Sequence, residues 1–151
     1  GRINSEKDIY DFIKMFDQVK LDVEFSIVGN SKNLKVTNKN IKFFGYISDS
    51  QSLIDVYDSH NIIVLPSFTE GQPYTLDECL SRKRPMIIFE DIAYIVKDRK
   101  GIFVSKRDVD SFIKNINYIM HNYQKIQQNI QQNKFFTKQD MLKQISDIIS
   151  Q

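Results

Sequence analysis

The chain has 151 residues, 41% apolar and 26% charged, the profile of one globular domain that buries roughly 70% of its unfolded surface without disulfide or metal staples. That composition excludes wholesale disorder and a collagen-like chain, and no apolar run approaches the roughly 18 residues that a membrane-spanning helix needs. A net charge of +2 is too small an excess to argue for nucleic acid as a partner, and the single Cys79 excludes an intramolecular disulfide or a multi-cysteine zinc site.

In chain order, Ile9, Phe12, Ile13 and Phe16 recur at helical spacing behind Ser5 and predict an amphipathic helix from Ser5 to Gln18. Val23, Phe25 and Ile27 alternate as a strand up to Gly29, residues Asn30 to Asn40 form a polar loop, and Ile41 to Ile47 is a second strand interrupted by Gly45. Ser48 and Asp49 can cap a short helix through Leu53, Val56 and Tyr57. The run Ile62-Ile63-Val64-Leu65, stopped by Pro66, has the continuous apolar character of a parallel strand covered on both faces. A loop from Ser67 to Tyr74 leads to a helix beginning near Thr75. Met86 to Phe89 and Ile102 to Val104 are further short strands, and Ile92 to Val96 between them is either a strand or a helical turn. After Asp108 one apolar stripe runs from Phe112 through Ile116, Ile119, Tyr123 and Ile126 to Ile130, and Met141, Leu142, Ile145, Ile148 and Ile149 make another after Thr137. Strands alternating with helices predict an α/β fold with a doubly wound parallel sheet and C-terminal helices.

In such a sheet the ligand crevice lies at the carboxyl ends of the strands, which directs attention to the loops after Gly29, Gly45, Pro66 and Phe89. The five glycines, at positions 1, 29, 45, 71 and 101, are too far apart for a dinucleotide or P-loop fingerprint. The loop after Pro66 carries the chemistry. Its sequence Ser67-Phe68-Thr69-Glu70-Gly71-Gln72-Pro73-Tyr74-Thr75-Leu76-Asp77-Glu78 places one glutamate in the crevice loop and a second within the helix. The N–H groups of that helix's first turn suit phosphate, and a carboxylate accepting two charge-assisted hydrogen bonds suits a diol such as ribose.

This segment resembles the Glu-x7-Glu motif of GT-B glycosyltransferases, in particular the retaining family 4 enzymes, in which it precedes a helix and a Gly-x-Pro-Val-Ile strand. Gly1-Arg2-Ile3-Asn4-Ser5-Glu6-Lys7 is similar to that family's Gly-Arg-x-x-x-Glu-Lys segment, and Phe25 to Gly29, Ile41 to Ile47 and Val64 to Ser67 follow in the family's order. The resemblance covers most of residues 1 to 104 and is that of a Rossmann-like C-terminal, donor-binding domain. It implies a nucleotide-diphosphate sugar as donor and a glycan or lipid-linked acceptor, with no metal and no cofactor beyond that substrate. Position by position, it assigns the donor diphosphate to Arg2, Lys7, Tyr74 and Thr75, and the transferred sugar to Glu70, Gly71, Gln72 and Pro73, with Glu70 as the catalytic group. Glu78 would hold the ribose hydroxyls, and the backbone near Ile47 would meet the nucleobase. Departures from the family pattern are Asp8 after the Glu-Lys, Lys83 in place of a glycine, and Ile92-Ala93-Tyr94-Ile95-Val96 in place of Gly-Gly-x-Pro-Glu.

Other conspicuous residues have plainer readings. Arg82-Lys83-Arg84 lies where a helix ends and complements its negative pole, with an anionic membrane or phosphate contact as the runner-up. Asp108-Val109-Asp110 precedes a long helix and is read as its cap. His60 and His121 have no ligand spacing, and Cys79 is read as a small buried thiol. The resemblance places the enzyme in the cytoplasm, peripheral at the inner face of the membrane, and places the acceptor site on a separate N-terminal domain. Because the family's Gly-Arg segment directly follows a central first strand, the start at Gly1 is expected to leave residues 1–151 as a donor domain lacking that strand. The expected sheet then either misses an interior strand or is completed by another segment or chain. Two other classes are open: a non-catalytic Rossmann-like assembly module, and another GT-B enzyme such as a sugar-nucleotide epimerase.

Overall fold

A computed structural model of the chain describes residues 6–29, 38–71 and 73–135. Arg2, Gln72, the middle of the polar loop and the stripe after Thr137 lie outside the described residues, as does the side chain of Lys7.

The order of elements is α1 (Glu6–Phe16), β1 (Phe25–Val28), β2 (Ile41–Gly45), α2 (Ser50–Ser59), β3 (Ile63–Leu65), α3 (Tyr74–Ser81), β4 (Met86–Phe89), a 3-10 helix (Glu90–Ile95), β5 (Ile102–Ser105), α4 (Val109–His121) and α5 (Tyr123–Ile130). All strand pairings are parallel. Instead of one continuous sheet, the strands form two: β1 pairs with β2, and β4 lies between β3 and β5.

Helices cover both faces of the β3-β4-β5 sheet, and β4 shows why its sequence is wholly apolar. Its residues are all fully buried, with Ile87 and Phe89 joining the cluster formed by α1, α4 and α5, and Met86 and Ile88 joining Leu76, Cys79, Ile92 and Tyr57 on the opposite face. Alternation of side chains along a strand feeds both cores at once. Phe12 of α1 joins the two sheets: its ring lies 4.9 Å from Phe25 of β1, 6.0 Å from Phe89 of β4 and 5.4 Å from Phe112 of α4.

Two local expectations change and a third is narrowed. The stripe from Phe112 to Ile130 is two helices, because Asn122 leaves helical geometry at φ −114° and its side-chain amide donates back to the Tyr118 carbonyl at 2.9 Å. Of the two readings of Ile92 to Val96 the helical one holds: Ile92 to Ile95 end the 3-10 helix that starts at Glu90, and Val96 is its C-cap. The second strand stops at Gly45, where φ is +69° and the chain turns away, leaving Ile47 in the loop before α2. The caps follow the sequence reading: Asp49 accepts from Ser52 N and Asp108 from Ser111 N, each at 2.7 Å. Among the described residues no helix is long and apolar enough to cross a membrane.

Candidate active site

The loop after β3 is built by Pro66, which ends the strand, and by Pro73, whose extended backbone starts α3. Proline suits that position because its fixed φ precedes a helix without cost. No side chain caps α3; Leu76 N donates to the Pro73 carbonyl at 3.1 Å, which leaves the N–H groups of Tyr74 and Thr75 for a ligand's oxygens. Asp77 in that turn pairs with Arg99 at 3.1 Å. Tyr74 is among the most exposed side chains, at 81%, and Thr75 is half-buried.

Glu70 sits half-buried in this loop and is held at both its carboxylate and its backbone. Ser67 Oγ donates to Glu70 Oε1 at 2.6 Å. The Tyr94 hydroxyl donates to the Glu70 carbonyl and accepts from Glu70 N at 3.1 Å. At the start of the loop, Arg107 Nη2 donates to the carbonyls of Pro66 at 3.1 Å and Ser67 at 2.8 Å.

Glu78 lies one turn into α3 and faces α2, where Tyr57 donates to its Oε2 at 2.9 Å. With Ser50, Leu53, Ile54, Tyr57, Ser81 and Arg82 it lines a cleft of about 250 Å³ between the two helices. Burial, reinforced by the neighbouring Cys79 and Glu78, pushes the Tyr57 hydroxyl well above its ordinary range, so Tyr57 is a fixed donor. Burial likewise pushes the Cys79 thiol up, in line with its reading as a buried structural group. Gly71 and Pro73 line a different, smaller cavity with Leu76, Tyr94, Ile95, Lys97 and Arg99. Among the described residues, then, Glu78 lines one cavity and the Glu70 neighbours Gly71 and Pro73 line another, with Glu70 itself lining neither. Ile47 is half-buried in the loop that leads from Gly45 to α2, the helix that walls the Glu78 cleft.

The basic run is engaged within the fold. Arg82 Nε donates to Asp58 at 2.6 Å, while Arg84 donates to the Asp58 carbonyl at 2.8 Å and to the Tyr123 hydroxyl at 3.2 Å. The Arg82 guanidinium holds the Asp58 carboxyl below its usual range. Residue spacing carries no sign of Tyr57, Tyr94 or Arg107 as site residues. Their partners lie 21, 24 and about 40 positions away, and the only available signal was the aromatic Tyr94 within the stretch that departs from the family pattern.

An α/β domain of parallel strands in two small sheets covered by helices is consistent with a Rossmann-like GT-B domain. The sequence profile of the glycosyl transferases group 1 family matches residues 1–122, and the chain belongs to that family. No curated protein matches the chain.

Proposed function

We propose that this domain binds a nucleotide-diphosphate sugar and serves its transfer, with retention of anomeric configuration, to a glycan or lipid-linked acceptor. The observation that carries this reading is the position of Glu78: a carboxylate fixed by Tyr57 at the edge of a cleft of about 250 Å³, one turn behind an uncapped helix start. A carboxylate accepting from two vicinal hydroxyls makes charge-assisted bonds, the stronger kind, and a helix N-terminus stabilises the adjoining phosphates. Glu78 holds the ribose in this scheme, and the backbone near Ile47 meets the base. The amides of Tyr74 and Thr75, with Arg2 and Lys7, neutralise the diphosphate, whose charge grows as the sugar bond breaks. Glu70, with Gly71, Gln72 and Pro73, faces the transferred sugar, where a carboxylate stabilises positive charge developing at the anomeric carbon.

Nothing in these roles calls for a metal or a further cofactor. The family resemblance supports an acceptor site on a second domain and a place in the cytoplasm at the inner face of the membrane, so residues 1–151 alone should transfer sugar poorly. A thermal-shift panel of UDP, GDP, ADP and their sugar conjugates on wild type and Glu78→Ala tests the reading. One nucleotide should raise the melting temperature of wild type and lose most of that effect in the variant. Failure of every nucleotide would point instead to an assembly module, and epimerised or free sugar released without acceptor would point to an epimerase.

A further inference from the structure

Resting on the sugar-facing role of Glu70, we infer that Arg107 is a positioning residue that sets the Glu70 carboxylate through Ser67, with Tyr94 as the second hold on the same loop. A carboxylate on a loop has no helix or sheet ladder to fix it, so its aim must come from neighbouring segments. Arg107, between β5 and α4, provides this with most of its guanidinium. Nη2 bridges the carbonyls of Pro66 and Ser67, Nε donates to Asp91 at 2.7 Å, and the plane lies over the rings of Phe68 and Phe89, 3.6 and 4.5 Å from their centroids.

The contacts form one chain from the core to the site. Phe89 is fully buried in β4 and cannot move without disturbing the core it shares with Phe12 and Phe112. Arg107 packs on it and fixes the Ser67 carbonyl, while the hydroxyl of the same Ser67 holds Glu70 Oε1. Tyr94, on the 3-10 helix that also supplies Asp91 to Arg107, closes the other end by bonding both backbone atoms of Glu70. A planar fork with a flat stacking face performs this task and a lysine ammonium does not, because lysine cannot bridge two carbonyls while lying on two rings. Arg107 need not touch the donor, whereas Tyr94 also lines the cavity of Gly71 and Pro73, so Arg107→Lys is the variant that isolates positioning.

The test uses the full chain and the variants Arg107→Lys and Tyr94→Phe. Each keeps the bulk of the side chain, and the Tyr94 change removes only an exposed hydroxyl. Hydrogen exchange of the amides of residues 67–71 is read beside calorimetric binding of UDP, GDP and ADP and of UDP-glucose, GDP-mannose and ADP-glucose. Exchange in residues 67–71 should rise about tenfold while β4 and β5 keep wild-type protection. The nucleotide sugar should lose about tenfold in affinity, while its nucleoside diphosphate stays within about twofold of wild type. Unchanged exchange in both variants overturns the proposal, as does an equal loss for diphosphate and sugar conjugate, which marks a merely structural role. If wild type binds none of the six probes, the reading of the site fails, and the exchange measurement alone decides whether Arg107 and Tyr94 hold the loop.

Discussion

The two glutamates of this domain are placed by different means. Glu78 is carried by α3, whose backbone and buried residues Leu76, Cys79 and Leu80 fix its direction, and it needs one outside partner, Tyr57. Glu70 sits on a loop and depends on contacts reaching in from positions 94 and 107. A carboxylate on a helix inherits its geometry from the fold, whereas one on a loop must have it supplied. The helix-borne group therefore suits the part of a ligand that is always the same, and the loop-borne group suits the part where specificity and reaction geometry are set.

The largest effect should come from breaking the packing behind α3. Gly101 has φ +91°, and a Cβ built there would lie 2.6 Å from Ile130 Cδ1 of α5 and 3.3 Å from Leu80 of α3. Gly101→Ala should cost about 3 kcal/mol of stability in chemical denaturation, from overpacking plus backbone strain, and weaken binding at both glutamates together. A smaller effect is expected in alkali. The Cys79 thiol is raised by burial above its ordinary value of 9.0, so the unfolded chain releases that proton at lower pH than the folded one. Stability should be full below pH 9.0 and then fall with a slope of at most about 1.4 kcal/mol per pH unit from this thiol. Cys79→Ser should remove that contribution in melts between pH 8 and 10.5, a range chosen about the ordinary thiol value, and leave the Glu70 loop untouched. The smallest change separates the glutamates most cleanly. Ser67→Ala removes only the hydroxyl that holds Glu70 Oε1, and should weaken a nucleotide sugar about fivefold without altering nucleoside diphosphate binding.

Much of this was legible in the sequence because it is local. The apolar run Met86 to Phe89 implied a strand, Asp49 and Asp108 announced two helix starts, and Glu70-Gly71-Gln72-Pro73 with Glu78 marked the candidate site. The burial on both faces expected of Ile62 to Leu65 is found instead in Met86 to Phe89, β3 being only half-buried. What escaped depends on contacts between distant segments. The stripe Phe112 to Ile130 kept helical spacing through Asn122, so its periodicity could not reveal that the Asn122 side chain ends one helix before another begins. The division of the strands into two sheets is a matter of which backbones pair, and each strand's composition is silent on its neighbour. The role of Arg107 was hidden for the same reason, since a lone arginine before a helix cap looks like any surface cation until the carbonyls of Pro66 and Ser67 are seen beneath it.

The most direct test of the division of labour is the affinity of one nucleoside diphosphate and of its sugar conjugate, measured by calorimetry on wild type, Glu70→Gln and Glu78→Ala. Glu78→Ala should weaken both ligands equally, by about 30-fold, while Glu70→Gln should abolish only the extra affinity that the sugar confers. Diphosphate binding that survives Glu78→Ala unchanged, or falls in Glu70→Gln, would contradict the assignment of the two carboxylates.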